Sequence, residues 1–204
     1  MYKKELRSKF RKLRQKLSET EQLLAAHEMT LNLFKLPEIN RATNIAGYWP
    51  NDGEISPLPF LEQALRQGKK CYLPLLIGDK SLMLDFGSYT QNDQLLKNEF
   101  GVFEPDRQSK EVFLTSIETL DVILVPLVAF DLKGSRLGMG AGYYDATLSK
   151  LIDVEPANRP IIIGIGHNCQ QAESLPVDDW DWALNIVVTD KNIFYITPSK
   201  ILLN

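Results

Sequence analysis

The sequence predicts an α/β fold, a three-layer, mostly parallel open sheet between helices of the Rossmann-like kind, and three observations carry that expectation. At 204 residues and 44% hydrophobic, the chain holds enough apolar material for one sizeable core and is short for two, so residues 1–204 are expected to form a single domain. Short apolar runs alternate with helical stretches in a βαβ rhythm. One run, 122–130 (VILVPLVAF), is almost wholly apolar, as a strand covered on both faces must be.

The elements follow in chain order. Lys3, Arg7, Arg11 and Arg14 recur every three or four residues beside a stripe of Leu6, Phe10, Leu13 and Leu17, which predicts a basic amphipathic helix over about 3–17 docked on the domain. Ser18 with Glu21 three residues later forms a capping box for a second helix running toward Leu36 and stopping at Pro37. Segment 44–49 reads as a short strand, 58–66 as a helix and 70–75 as another strand, with Gly68 between the last two. A further strand is expected over 82–89 and an irregular stretch over 101–105. Within 122–130, Pro126 has no amide to give a sheet, so it must lie near the strand end or at a bulge. A polar, glycine-rich loop spans 131–142, a helix follows at about 143–151, and 160–166 and 184–189 supply two more buried strands.

Charge is unevenly placed. Residues 1–16 carry eight Lys or Arg against the single Glu5, whereas the whole chain has a net charge of −3, so the remainder is acidic. That acidic balance, and the lack of aromatic residues interleaved with the basic ones, argue against nucleic-acid binding; most of the cations are expected to be solvated. The N-terminal residues lack the apolar core of a secretory signal and no run approaches the roughly 20 apolar residues of a membrane helix, so a soluble, cytoplasmic protein is expected. Cys71 and Cys169 are too few for a disulfide framework and read as reduced thiols. His167 and Cys169 lack further soft ligands nearby and read as packing or loop residues.

In parallel α/β sheets ligands bind beyond the carboxyl ends of strands, which directs attention to the loop after the apolar strand. Its residues 131–145 read DLKGSRLGMGAGYYD. Gly134, Gly138, Gly140 and Gly142 allow positive φ and exposed amides, and with Lys133, Arg136 and a following helix they are compatible with a phosphate cradle. They are equally compatible with a tight structural turn. It is not a Walker A loop, since no GK[ST] follows, and Tyr143 stands where a Rossmann fingerprint needs its third glycine. Tyr143 and Tyr144 are either stacking surfaces or core aromatics, and Asp145 is either a hard oxygen ligand for Mg²⁺ or a solvated acid.

The run FDLKGSRLGMGAGYYD closely resembles the signature of 5-formyltetrahydrofolate cyclo-ligases, FD-x-x-G-x-RLG-x-G-x-GYYD. Lys3 with Arg7, YWPNDGEIS from Tyr48, and LPVDDWD from Leu175 ahead of a strand ending in Thr189 and Asp190 fit the same family in the same order, so the resemblance spans nearly the whole chain. It implies ATP-dependent cyclisation of 5-formyltetrahydrofolate to 5,10-methenyltetrahydrofolate, with ATP as co-substrate, Mg²⁺ as cofactor and a monomer acting on small molecules alone. It further implies ATP contacts from Lys3, Arg7 and the segment Arg136, Leu137, Gly138, Met139, Gly140, Ala141, Gly142, Tyr143 and Tyr144. Folate contacts are implied for Trp49, Glu54 and the stretch from Met139 to Tyr143, magnesium ligation for Asp145 and Asp181, and catalytic roles for Arg136 and Tyr143. Asp178 and Asp179 compete with Asp181 for the second ligand position.

Three positions depart from the family pattern. Met139 stands where many relatives have Arg, Ala141 where Lys or Gly is usual and Asn185 where Asp is frequent, which leaves the loop with fewer cations and bears on the metal shell. The reading from a different class is a non-catalytic nucleotide- or phosphosugar-sensing α/β domain, because fold does not fix function.

Overall fold

The computed structural model describes residues 2–78 and 81–196, so Met1 and residues 197–204 of the expected domain lie outside the described residues. Helix α1 (Tyr2–Gln15) is followed by α2 (Glu19–Phe34), and the turn between them is fixed by the expected capping box. The Ser18 amide donates to Glu21 Oε2 at 2.8 Å and the Glu21 amide to Ser18 Oγ at 3.3 Å. The chain continues through α3 (Pro37–Arg41), β1 (Asn44–Ala46), α4 (Leu58–Arg66), β2 (Lys70–Leu76), β3 (Leu84–Tyr89), β4 (Leu95–Lys97), β5 (Phe103–Pro105) and β6 (Leu114–Thr115). It then enters β7 (Val122–Pro126), β8 (Ala129–Phe130), β9 (Arg136–Leu137), α5 (Tyr143–Leu148), β10 (Ile161–Ile165), β11 (Ile186–Val188) and β12 (Ile193–Tyr195).

Eight strands form one sheet in the order β12-β11-β10-β7-β1-β2-β3-β6. The five central strands, β11 to β2 in that order, are parallel, and β12, β3 and β6 extend the edges antiparallel. From β1 the chain steps to β2 on one side, and later from β7 to β10 and β11 on the other. The carboxyl ends of β1 and β7 therefore border the switch point at which an open α/β sheet offers a crevice.

Two apolar layers sandwich the sheet. On one face α2 and α4 bury Met29, Leu33, Phe60 and Leu61 against Ile45, Leu73 and Ile163, with the Phe34 and Phe60 rings 5.0 Å apart. On the other, Leu148 and Leu151 from α5 and the 3₁₀ turn after it cover Ile123, Val125 and Ile162. A third, smaller cluster seats α1 across the carboxyl end through Phe10, with Leu6 and Leu13 beside it, on Val128, Ala129 and Leu137. Burying Phe10 alone is worth about 2–3 kcal/mol, so the predicted apolar stripe is what docks the helix.

Several expected boundaries shift for identifiable reasons. The strand expected over 44–49 ends at Ala46, because Gly47 onward leaves the ladder to form the loop over the switch point. The run 122–130 is two elements: β7 stops at Pro126, and Ala129 and Phe130 turn away to pair with Leu137 and Arg136. The stretch taken as irregular from 101 to 105 belongs to a hairpin, β4 with β5. Its turn is made by Asn98, whose side-chain oxygen accepts from the amides of Phe100 and Val102. The last turn of the helix expected over 143–151 is 3₁₀ from Ser149.

The sheet has little slack at its centre. A Cβ on Gly164 of β10 would lie 2.6 Å from Leu184 Cδ1 and 2.8 Å from Leu127 Cδ1. Gly164→Ala is expected to lower the unfolding free energy in urea by about 1–3 kcal/mol through overpacking, with the circular dichroism of the native state unchanged.

Candidate active site

The loops after β1, after β7 and before β11 meet at the carboxyl end of the sheet, and α1 lies across all three with a cation for each. Lys3 Nζ donates to Asp178 at 2.7 Å and to Asp181 at 3.2 Å. Burial works against the Lys3 ammonium, but these two carboxylates outweigh it and hold its pKa above the ordinary lysine value. Arg7 Nε donates to the Gly138 carbonyl at 2.8 Å. Arg11 and Arg14 both bind the Asp52 carboxylate, at 2.7 and 2.9 Å.

The glycine loop is anchored by a residue of its own motif. Asp131 is wholly buried, and its carboxylate accepts from the amides of Lys133, Ser135 and Leu175, which closes the β8–β9 hairpin and ties it to the segment ahead of β11. Beyond the hairpin, Gly138 to Gly142 are half-buried or exposed. Positive φ occurs at Gly134, Gly140 and Gly142 but not at Gly138. At Gly140, φ is +104°, a backbone conformation that favours glycine, and a Cβ would sit 3.1 Å from the Arg7 guanidinium carbon, so α1 passes close over this turn. Gly142, at φ +81°, turns the chain into α5.

The candidate residues divide by surroundings. Arg136 is 9% exposed and donates to the Trp182 carbonyl and to Asp145 Oδ1, which also accepts from the Trp182 amide. Burial lowers the Arg136 pKa, and the neighbouring Asp145 and Asp181 charges oppose that fall. Asp181 Oδ2 accepts from Lys3 and from the Asp178 amide. Leu137 points into the core, leaving only its backbone for any ligand. Tyr144 packs on the core beneath α5, the second of its two readings, whereas Tyr143 meets Phe100 edge-on with ring centroids 5.8 Å apart. Trp49 lies 5.2 Å from Phe103. The β4–β5 hairpin thus brings two aromatic rings to the candidate set that sequence reasoning missed; Asn98 and Gly101 flanking a short polar turn were the available signal.

Glu54 is the most perturbed acid here. Its side chain is 10% exposed, and burial pushes its carboxyl up to about 7 against the pull of Arg14, 3.7 Å away, and of the Asn51 amide. Asp52 moves the other way, held at about 2 chiefly by its hydrogen bond from Arg11, with Arg14 and Gln15 adding to it. The expectation that most of the basic helix is merely solvated fails at Arg14, which is completely buried, and at Arg11. Arg14 donates from Nε to the Asp52 carbonyl at 2.8 Å and from Nη1 to the Leu127 carbonyl at 3.1 Å. Its Nη2 lies 3.8 Å from the sulfur of the exposed Met139.

Asn185, one of the three departures, lies at the opposite end of the sheet. Its side-chain oxygen accepts from Ile162 at 2.7 Å at the entry to β11, so it pins the sheet and does not reach the candidate metal shell. His167 is buried with no hydrogen-bond partner for Nε2, and Cys169 is exposed.

Asp52→Asn removes the acceptor shared by Arg11, Arg14 and Gln15. The variant is expected to lose about 1–3 kcal/mol of unfolding free energy at pH 7 in urea titrations. A carboxyl near 2 when folded and near 4 when unfolded stabilises fully above about pH 4 and loses that contribution as pH falls toward 2. The acid limb of the stability curve should therefore be shallower in the variant.

Comparison with known proteins places this arrangement. Residues 1–190 match the 5-formyltetrahydrofolate cyclo-ligase family. The 5-formyltetrahydrofolate cyclo-ligase of Haemophilus influenzae is 37% identical over 178 residues, covering 87% of this chain and 91% of that protein. That of Escherichia coli K12 is 34% identical over 184 residues, covering 90% and 98%. Among solved structures, the 5,10-methenyltetrahydrofolate synthetase of Aquifex aeolicus superposes with a TM-score of 0.79 at 32% identity, covering 100% of this chain and 97% of that one. With the family match running over nearly the whole length and the motif residues gathered at one crevice, the chain belongs to the 5-formyltetrahydrofolate cyclo-ligase family.

Proposed function

We propose that the chain catalyses the reaction its family is named for, the ATP-dependent closure of 5-formyltetrahydrofolate to 5,10-methenyltetrahydrofolate with release of ADP and phosphate. The observation that carries the reading is the convergence, at the switch point of a parallel sheet, of a glycine loop, three cations and two carboxylates drawn from segments up to 178 residues apart. The γ-phosphoryl group passes to the formyl oxygen, turning a poor leaving group into a good one. N10 then attacks the activated carbon, the C–O bond breaks, phosphate leaves and the N10 proton is lost to solvent. No protein nucleophile is required, so catalysis consists of positioning and charge stabilisation.

In this reading Lys3 and Arg7 exchange their present partners, Asp178 with Asp181 and the Gly138 carbonyl, for phosphate oxygens. Arg136, buried beneath the loop, acts through its field and through its hold on Asp145. The exposed backbone from Gly138 to Gly142 faces the nucleotide, and Trp49, Glu54, Met139 and Tyr143 face the folate, with Glu54 accepting from the N–H-rich edge of the pterin. Among the described residues no three acids, histidines or cysteines cluster as a self-sufficient metal cage. Asp145 Oδ2 and Asp181 Oδ1 carry no hydrogen bond among the described residues, and both carboxylates flank Arg136, which suits an ion completed by phosphate oxygens and water. We therefore assign Asp145 and Asp181 to Mg²⁺, which when bound would neutralise phosphate charge. Asp179 is exposed, and Asp178, the more exposed of the two carboxylates on Lys3, holds that cation at 2.7 Å.

No described helix is long and apolar enough to cross a membrane. With a small, diffusible substrate pair and two unpaired thiols, a cytoplasmic setting fits. A sensing domain would need the glycine loop but not two carboxylates poised beside it.

Formation of the methenyl product, followed by its absorbance, should require 5-formyltetrahydrofolate, ATP and Mg²⁺ together. Asp145→Asn should reduce kcat by about 10²–10³ while the protein stays folded. Folded wild-type protein that gives no product under these conditions would eliminate the cyclo-ligase reading and leave the sensor.

A further inference from the structure

The folate contacts assigned above come from two separate loops, Glu54 after β1 and Met139 in the glycine loop after β7. One side chain touches both. The Arg14 guanidinium is wholly buried, lies 3.7 Å from Glu54 Oε1 and 3.8 Å from Met139 Sδ, and bonds the backbone of each strand's exit at Asp52 and Leu127. We infer that Arg14 is a positioning residue for the folate half of the site, fixing the loop that carries Glu54 against the glycine loop.

Two further features of the loop agree. Asp52 has φ +51°, the one non-glycine residue with positive φ among the described residues, and Gly53 follows at +75°. Asp and Gly both tolerate this backbone, so the turn forms at little cost and its side-chain contacts decide where it points. Those contacts are Arg14, on the Asp52 carbonyl and carboxylate, together with Arg11 and Gln15 on the same carboxylate. Glu54 follows directly, and its amide donates back to Asn51 at 3.0 Å while its carboxylate accepts from the Asn51 amide at 3.1 Å. The turn is therefore a rigid unit aimed by α1. Among the described residues the Arg14 side chain has no hydrogen bond or ion pair with Lys3 or Arg7, so the nucleotide cations should be largely indifferent to its removal.

The charges facing Glu54 are Arg14 from α1, Asp52 on its own loop, and the phenols of Tyr48 on that loop and Tyr144 on α5. Arg14 is the cation among them. A folate-accepting Glu54 must be ionised, so affinity for the formyl-folate should rise with pH, and loss of Arg14 should move the midpoint of that rise upward.

The inference rests on the cyclo-ligase reading, and the experiment separates the two. Steady-state kinetics of wild type, Arg14→Met and Ile39→Val are measured against both substrates from pH 6 to 9, alongside thermal unfolding. Arg14→Met should raise the KM for 5-formyltetrahydrofolate at least tenfold, change the KM for ATP by less than threefold, and shift the pH midpoint of the folate KM upward. Ile39→Val, a buried core position on α3 away from the crevice, should lower stability and leave both KM values in place. Should Arg14→Met not fold, Asp52→Asn, which unfastens the same turn from its carboxylate side, should raise the folate KM at least threefold with the ATP KM unmoved. Lower stability with an unchanged folate KM, or equal rises for both substrates, would overturn the positioning role. A wild-type protein without turnover would remove the functional reading and this inference with it.

Discussion

A guanidinium sealed from water must find partners for its donors or the chain does not close around it. Arg14 finds them on two strand exits, the carbonyls of Asp52 and Leu127, and on the Asp52 carboxylate. Breaking a buried ion pair of this sort by removing one partner typically costs about 3–5 kcal/mol, more than any single surface contact in the molecule can supply. The crevice between β1 and β7 is thus not simply an opening left by the sheet's change of direction. It is held to width by one side chain from the first helix, through which the Glu54 turn takes its position against the glycine loop.

Around that fixed point the site is arranged as paired opposites. Lys3 occupies Asp178 and Asp181, and Arg136 occupies Asp145. In the proposed reaction the Lys3 pair exchanges partners, cation to phosphate and carboxylate to metal, while Arg136 keeps its hold on Asp145, so binding trades one set of charge contacts for another of similar kind. Desolvation is largely met already in the folded chain, because Arg136 is buried and Asp181 half-buried before any ligand arrives. The departure at Met139 fits this arrangement. An arginine at 139 would bring a second cation within reach of the Arg14 guanidinium, whereas the methionine sulfur offers a soft, neutral neighbour.

Much of this could be read in the sequence, for definite reasons. The central strands, α2 with its capping box and the apolar stripe of α1 follow from periodicity and local hydrogen bonding, which act within a few residues. The glycine motif was legible because the resemblance is local and long. What escaped was decided at distance. Nothing near Arg14 marks it as buried while Lys9 and Lys12 on the same helix stay in solvent; the difference lies in partners 38 and 113 residues away. The break at Pro126 was foreseen, but not that Ala129 and Phe130 would leave the sheet, since their strand-like composition serves a two-residue hairpin equally well. The Phe100 and Phe103 hairpin was passed over because three-residue strands leave almost no periodic trace. Asn185 was misplaced for a related reason: alignment with an acidic position says nothing about which end of a strand it occupies.

The contacts of α1 also fix the order in which the molecule can be completed. The helix is made before the strands it docks on, so Arg7 waits for a carbonyl 131 residues later and Lys3 for carboxylates 175 and 178 residues later. Its apolar stripe has no surface to cover until β8 and β9 exist. On a chain emerging from the ribosome, α1 must remain a tethered, cationic, half-apolar segment until β8 and β9 have been synthesised, and the loop-closure entropy of its docking falls due only then. Completion of the crevice therefore comes in two late steps: a nascent chain that has paired β1, β2 and β7 still has no glycine loop for Arg7 to hold, and Lys3 gains its carboxylates only after β10 has been made.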